Sequence, residues 1–264
     1  MSKERIDRLV VDRGLARSRS VAQRLIYAGE VLVDGQLVDK PGTQVLEDAK
    51  IELKAKPRFV SRGGEKLDAA LERFAVDVEG KTVADIGAST GGFTDCLLQR
   101  GARKVYAIDV GYGQLAWSLR QDDRVVVMER VNARYLTSLP EQVALIVSDV
   151  SFISLRLIYA AAVKWLVPSG DVVSLIKPQF EAGPQNVGKG GVVRDPDVHR
   201  EVLEAVVETM EGFGLGLQGL MASPLLGPAG NVEFLGWWRL DETPQKHDLW
   251  ITRAMSEAAD LLAR

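Results

Sequence analysis

The sequence predicts an α/β protein: a doubly wound, mostly parallel seven-stranded, Rossmann-like sheet preceded by a small α+β domain. Three observations carry this. Between residues 81 and 177 five near-continuous Val/Ile/Leu runs alternate with segments long enough for crossover helices, the pattern of parallel strands buried on both faces. Two later runs, 215–222 and 233–240, read as an antiparallel pair closing one edge. Ahead of all of them lies a stretch of different texture: residues 1–62 hold 13 Lys and Arg against 9 Asp and Glu, a net of +4, which leaves −7 for the remainder. The overall charge of −3 therefore hides two unlike parts, and a basic head on an acidic body points to nucleic acid at the head.

In the head, Ile6, Leu9 and Val10 recur at helical spacing. A second helix starts at Ser18 as N-cap, buries Val21, Ala22, Leu25 and Ile26, and stops at Gly29. Val31 to Val33 and Leu37-Val38 flank Asp34-Gly35, a strong hairpin signal, and Ile51 with Leu53 supplies a last short strand. Boundaries follow: residues 1–58 as the head, 59–62 as a linker and 63–264 as the body. In the body the five runs end at Asp85, Asp109, Glu129, Asp149 and Lys177, a helix spans about 197–212, and another follows Pro244. No apolar run is long enough to span a bilayer. One cysteine, Cys96, and two histidines exclude an internal disulfide and argue against a protein-built metal site. The charged start MSKERIDRL, without the apolar stretch of a signal peptide, predicts a cytoplasmic protein, with a monomer favoured.

Ligands of such sheets bind at the carboxyl ends of the strands. The first is followed by a glycine-rich turn, Asp85-Ile-Gly87-Ala-Ser89-Thr-Gly91-Gly92-Phe93, whose glycines let backbone approach a ligand. Asp109, at the end of the second strand, is placed to accept both hydroxyls of a ribose, so the pair implies a nucleoside cofactor. Gly183 to Lys189 satisfies the first part of a phosphate-binding loop, but Gly190 replaces its Ser/Thr and no strand precedes it. The segment 183–195 instead reads as a rim loop, touching RNA through Lys189 and Arg194 or simply mobile. Cys96 falls within the helix after the glycine turn and reads as a small buried hydrophobe rather than a nucleophile. Lys177 sits at a strand end where carboxylates would hold it in place, and where apolar burial and those carboxylates act on a lysine's pKa in opposite directions, an opposition the sequence leaves open; Lys66, Asp149 and Glu233 complete a constellation with it.

Three resemblances sharpen these expectations. The run RIDRLVVDRGLARSRSVAQRLIYAGEVLVDGQLVDKPG resembles the S-four type RNA-binding domain, which implies basic contacts to structured RNA, here Arg5, Arg17, Arg19 and Arg24. The turn D-x-G-x-x-x-G-G-F resembles motif I of S-adenosyl-L-methionine-dependent methyltransferases, which implies that cofactor and places Asn132 near its adenine. End to end, through SRGGEKL, DIGASTGGFTDCLL, DVGYGQLAWSLR, SDVSFISL, KPQFE, GGVVRDP and GNVEF, the chain resembles the TlyA/hemolysin A family of ribosomal RNA 2′-O-methyltransferases. That implies cytidine ribose methylation in ribosomal RNA of the large subunit and, in a longer branch, the small one. The family's Lys-Asp-Lys-Glu tetrad falls on Lys66, Asp149, Lys177 and Glu233, with Lys177 as general base oriented by Asp149 and Glu233, and Lys66 holding the acceptor. Competing readings are an RNA-binding protein with a non-catalytic methyltransferase-like domain, and a hemolysin, against which the lack of an export signal or a strongly amphipathic basic segment argues.

Overall fold

The computed structural model describes residues 2–54, 57–243 and 247–263, which form two compact units, Met1–Pro57 and Arg58–Arg264. The smaller unit runs β1 (Lys3–Arg5), α1 (Ile6–Asp12), α2 (Arg19–Tyr27), β2 (Val31–Val33), β3 (Gln36–Leu37), β4 (Gln44–Leu46) and β5 (Ile51–Leu53). Ser18 caps α2, its hydroxyl accepting the Val21 N–H at 3.4 Å. The hairpin β2–β3 turns through Asp34 (φ 50°) and Gly35 (φ 80°), the two positive dihedrals that match a hairpin's twist. β5 pairs antiparallel on the other side of β2. The ribbon β1–β4 is absent from the expectations, because strands of three residues are too short to show a period. Ile6, Val10, Ala22, Ile26 and Val31 form the fully buried centre.

Asp7 is buried within this unit and gathers three side chains. Arg5 donates to both its oxygens at 3.0 Å, Arg19 at 2.9 Å and Gln23 at 3.0 Å. Hydrogen bonds from Arg5 above all hold the Asp7 carboxyl well below the usual range, against the opposing effect of burial.

The larger unit runs α3 (Gly63–Phe74), β6 (Thr82–Ile86), α4 (Gly92–Gln99), β7 (Lys104–Asp109), α5 (Trp117–Arg120), β8 (Val125–Glu129), β9 (Val143–Ser148), α6 (Leu155–Ala162), β10 (Leu166–Ile176), α7 (Pro178–Glu181), α8 (Pro196–Glu211), β11 (Leu215–Ala222), β12 (Phe234–Leu240) and α9 (His247–Leu262). Its seven strands are ordered β11-β12-β10-β9-β6-β7-β8, parallel except for β12, which runs against both neighbours. The expected mixed sheet is therefore present, with the antiparallel pair at one edge. Alternate residues of each central strand serve opposite cores. Ala84, Ile108, Ile146 and Val172 face α6, α8 and α9, whereas Val83, Ala107, Leu145 and Val173 face α3 and α4. Between β6 and β9 the strand order reverses, so a crevice opens at their carboxyl ends.

One expectation is corrected here. Residues 59–62 do not hang free as a linker but pack into the larger unit. Phe59 is buried beside Gly64, the Val60 N–H donates to Asp95 at 2.8 Å, and Arg58 ion-pairs with Asp68. The sequence shows only a short basic stretch there; its apolar partners lie on helices further along the chain. Pro244, where the last helix was expected to begin, lies outside the described residues. Among the described residues no helix is long and apolar enough to cross a membrane.

Because the Asp7 carboxyl has a depressed pKa in the fold, its contribution is present above the unfolded carboxylate range and is lost as pH falls through it. Asp7→Asn should lower stability by about 2 kcal/mol at pH 7 and by less near pH ~3, read by chemical denaturation of the full chain. Equal losses at both pH values would show that the ion pairs are not what Asp7 contributes.

Candidate functional site

The crevice is built by the ends of β6 and β9. The Asp149 N–H donates to the Ile86 carbonyl at 3.0 Å, pulling the segment after β9 onto the glycine turn. Gly87 (φ 84°) passes so close that a Cβ there would lie 2.6 Å from the Asp149 carbonyl oxygen. Beyond it Ser89, itself at φ 48°, donates its N–H to Asp109 Oδ2 at 2.8 Å, and Gly111 donates to Oδ1 at 2.7 Å. Asp109 is thus aimed by two backbone donors while keeping lone pairs for a ligand. The Arg130 and Val131 N–H groups bond back to Gly111 and Asp109 at 3.0 Å each, and Asn132 opens the next turn by accepting the Arg134 N–H at 3.0 Å.

Two cavities meet here. One, of about 460 Å³, is walled by Ile86, Ile108, Val131, Ala133 and Val150, with Asp109, Asn132 and Gln114 among its polar groups. Among the described residues its only charged lining residues are acids, Asp109 and Asp149. The other, of about 290 Å³, is lined by the cations Arg62, Lys66 and Lys177 as well as by Asp149 and Glu233. Gly87, Ser89, Asp149 and Ser151 border both.

All four residues of the expected catalytic constellation line the second cavity, but as two separate pairs. Lys177 Nζ lies 2.6 Å from Asp149 Oδ1 and donates to Ser151 Oγ at 3.0 Å. Lys66 donates to Glu233 Oε2 at 2.5 Å, with both side chains nearly or fully buried. Glu233 therefore serves Lys66 and not Lys177, contrary to the orienting role expected of it. Its Oε1 is buried without a hydrogen-bond partner among the described residues.

Of the other expected cofactor residues, Gly87, Ser89, Asp109 and Asn132 line the first cavity, and Gly92 and Phe93 the second. Gly91 and Asp85 line neither. Asp85 is fully buried beneath the turn, where Thr94 Oγ1 donates to Oδ2 at 2.6 Å and Oδ1 has no partner among the described residues. Burial, with Asp149 and Asp109 nearby, pushes its carboxyl up to about 7. Cys96 is fully buried and burial pushes its thiol up to about 12, the chemistry of a packing residue.

Of the expected RNA contacts, Arg17 and Arg24 are exposed and have no side-chain partner among the described residues, while Arg5 and Arg19 are tied to Asp7. Lys189 and Arg194 are exposed on the rim loop and border neither cavity. Sequence reasoning missed Arg62, Ser151 and above all Phe152, which is 89% exposed at φ 62° and packs on Phe180 at 4.9 Å between ring centroids. An aromatic residue shortly after the end of β9, between Ser151 and Ile153, was the available signal.

The chain matches two family profiles: FtsJ-like methyltransferase over residues 59–240 and S4 domain over residues 4–51. It is 49% identical over 241 residues to the 16S/23S rRNA (cytidine-2'-O)-methyltransferase TlyA of Mycobacterium tuberculosis, covering 90% of each chain. It is 43% identical over 234 residues to Hemolysin A of Brachyspira hyodysenteriae, covering 88% of this chain and 98% of that one. A solved structure from Streptococcus thermophilus that bears the name hemolysin superposes with a TM-score of 0.76 at 44% identity, covering 100% of this chain and 98% of the other.

The buried Asp85 yields a test. With a folded pKa above the unfolded value, its ionised form weakens the fold, so stability declines as pH rises from about 4 towards about 7. Asp85→Asn should remove that decline, leaving the variant more stable than the parent at pH ~8 by on the order of 1 kcal/mol and no more stable near pH ~4. Urea unfolding at the two pH values checks this; a variant weaker at both would mean that a charged Asp85 supports the fold.

Proposed function

The chain belongs to the FtsJ-like methyltransferase family, with an S4 domain ahead of the catalytic unit, and from that premise we propose that it methylates the ribose 2′-hydroxyl of cytidines in ribosomal RNA, using S-adenosyl-L-methionine. Large-subunit RNA is the first target; the 16S/23S designation of the Mycobacterium tuberculosis relative supports small-subunit RNA as a second. Such a substrate places the protein on ribosomal subunits in the cytoplasm. One observation carries the reading: a cavity whose charges are all acidic adjoins one that gathers three cations, with Lys177 and Asp149 at the join.

The first cavity fits the cofactor by its donor set. Acids alone disfavour a diphosphate and suit a sulfonium nucleoside, with Asp109 accepting from ribose hydroxyls, Asn132 beside the base and the backbone of Gly87 and Ser89 at the amino-acid end. When bound, S-adenosyl-L-methionine supplies a methyl group activated by positive sulfur. The second cavity suits a sugar-phosphate, which Arg62 and Lys66 hold as cations. Glu233 keeps Lys66 in place. Lys177 in its neutral form accepts the 2′-hydroxyl proton as that oxygen takes the methyl group, and Asp149 stabilises the ammonium so formed while Ser151 fixes the nitrogen. Phe152, held exposed over Phe180, provides a stacking face for a base turned out of its helix.

Ribosomal subunits lacking the modification, incubated with cofactor labelled in its methyl group, should acquire label on a ribose 2′-oxygen; label on a base, or none, overturns the reading. Lys177→Ala should lower the transfer rate by about 10²-fold or more, with cofactor affinity unchanged within about twofold. If substantial activity remains, another group is the base. In the smaller unit, Arg17→Ala with Arg24→Ala should weaken RNA binding and reduce its logarithmic salt slope by about 1 per arginine, without touching cofactor affinity. An unchanged slope would remove this surface from the RNA contact.

A further inference from the structure

The rim loop and the GNVEF segment are tied together by a residue to which the reaction assigns no task. Asn231 is only 3% exposed, and both ends of its amide are spent on the loop's backbone. Oδ1 accepts the Val193 N–H at 3.1 Å, and Nδ2 donates to the Gly191 carbonyl at 2.9 Å. Its own carbonyl accepts the Gly227 N–H at 2.8 Å, closing the turn whose Pro228 lines the cationic cavity. Two residues on stands Glu233, the counter-charge of Lys66.

The loop itself is two-sided. Val192 and Val193 are buried, and the Val193 carbonyl lies 3.1 Å from His199 Nε2, a further tie on the inner side. Lys189 and Arg194 face outward and have no side-chain ion pair among the described residues. A loop of this glycine content is costly to order, and the Asn231 amide binds its backbone at two points to the segment that leads to Glu233.

We propose that Asn231 is a positioning residue that registers RNA on the acceptor cavity: it fixes the Lys189/Arg194 loop to the segment carrying Glu233, so that a phosphate backbone held by the loop delivers its ribose in line with Lys66 and Lys177. The inference rests on the RNA reading given above. Asn231 touches no reacting atom. It acts through the loop on one side and through the turn before Glu233 on the other. Without it the Val193 N–H and the Gly191 carbonyl lose their partners, the loop keeps only its buried valines and the His199 tie, and its cations no longer bind in register with the cavity.

The test is a double-mutant cycle on the full chain with ribosomal subunits, reading RNA affinity, turnover and cofactor affinity. Lys189→Ala with Arg194→Ala should weaken RNA binding by about fivefold, and Asn231→Ala should lower kcat/KM for RNA by about tenfold while cofactor affinity stays within about twofold. In the Asn231→Ala background the effect of removing the two cations should shrink to less than about twofold, because loose cations no longer count. Asn231→Asp, which keeps an acceptor for Val193, should recover part of the loss; it also serves if the alanine variant fails to fold, judged by cofactor binding. Additive effects, unchanged kcat/KM in Asn231→Ala, or no RNA effect of the two cations would each overturn the proposal. If the parent itself transfers no methyl group to ribosomal RNA, the failure belongs instead to the reading on which the proposal rests.

Discussion

Everything at the site depends on how closely two parallel strands approach at the point where the sheet reverses its order. The Asp149 N–H to Ile86 carbonyl bond draws the end of β9 against the turn after β6, and only a residue without a Cβ fits at Gly87. That one approach places Asp149 between two cavities. It also brings Lys177, from the next strand over, within 2.6 Å of Asp149. A side chain at position 87 would push the strand ends apart and separate the two cavities that the proposed chemistry needs side by side.

Charge is distributed around this join with a clear division. Among the described residues the charges lining the first cavity are all acids, the second gathers three cations balanced by Asp149 and Glu233, and Asp85 lies buried beneath the turn. Burial above all raises the Asp85 carboxyl, and the nearby Asp149 and Asp109 add a smaller repulsion in the same direction. A cationic ligand in the acidic cavity would offset the charges of Asp109 and Asp149, in keeping with the charge of the proposed cofactor. The S4 domain separates its charges differently: Asp7 draws Arg5 and Arg19 inward and leaves Arg17 and Arg24 facing solvent.

Much of this was legible in the sequence because parallel strands announce themselves. β6 to β10 are dominated by apolar runs, and Asp109, Asp149 and Lys177 stand at or just after their ends. The glycine turn and the Asp34-Gly35 hairpin were readable because they require backbone conformations that few residues adopt. Pairings were not legible. Nothing in the spacing distinguishes Glu233 bonded to Lys66 from Glu233 bonded to Lys177, since strand order decides it. Nor does a list of arginines reveal that Arg5 and Arg19 converge on a buried carboxylate. The burial of Phe59 and the ribbon β1–β4 were hidden for a related reason: both are made by contacts between segments too short to carry a pattern of their own.

The Lys66–Glu233 pair joins residues 167 positions apart, at opposite ends of the catalytic unit's chain. During synthesis the lysine emerges long before its partner. Until Glu233 arrives, just ahead of the reversed strand β12, Lys66 has no counter-charge for burial and must stay in water. A chain that stops just short of Glu233 has every residue that lines the first cavity but lacks the acid that balances Lys66 in the second. The residue just before the reversed strand thus makes the second cavity the last part of the site for which the chain supplies its side chains.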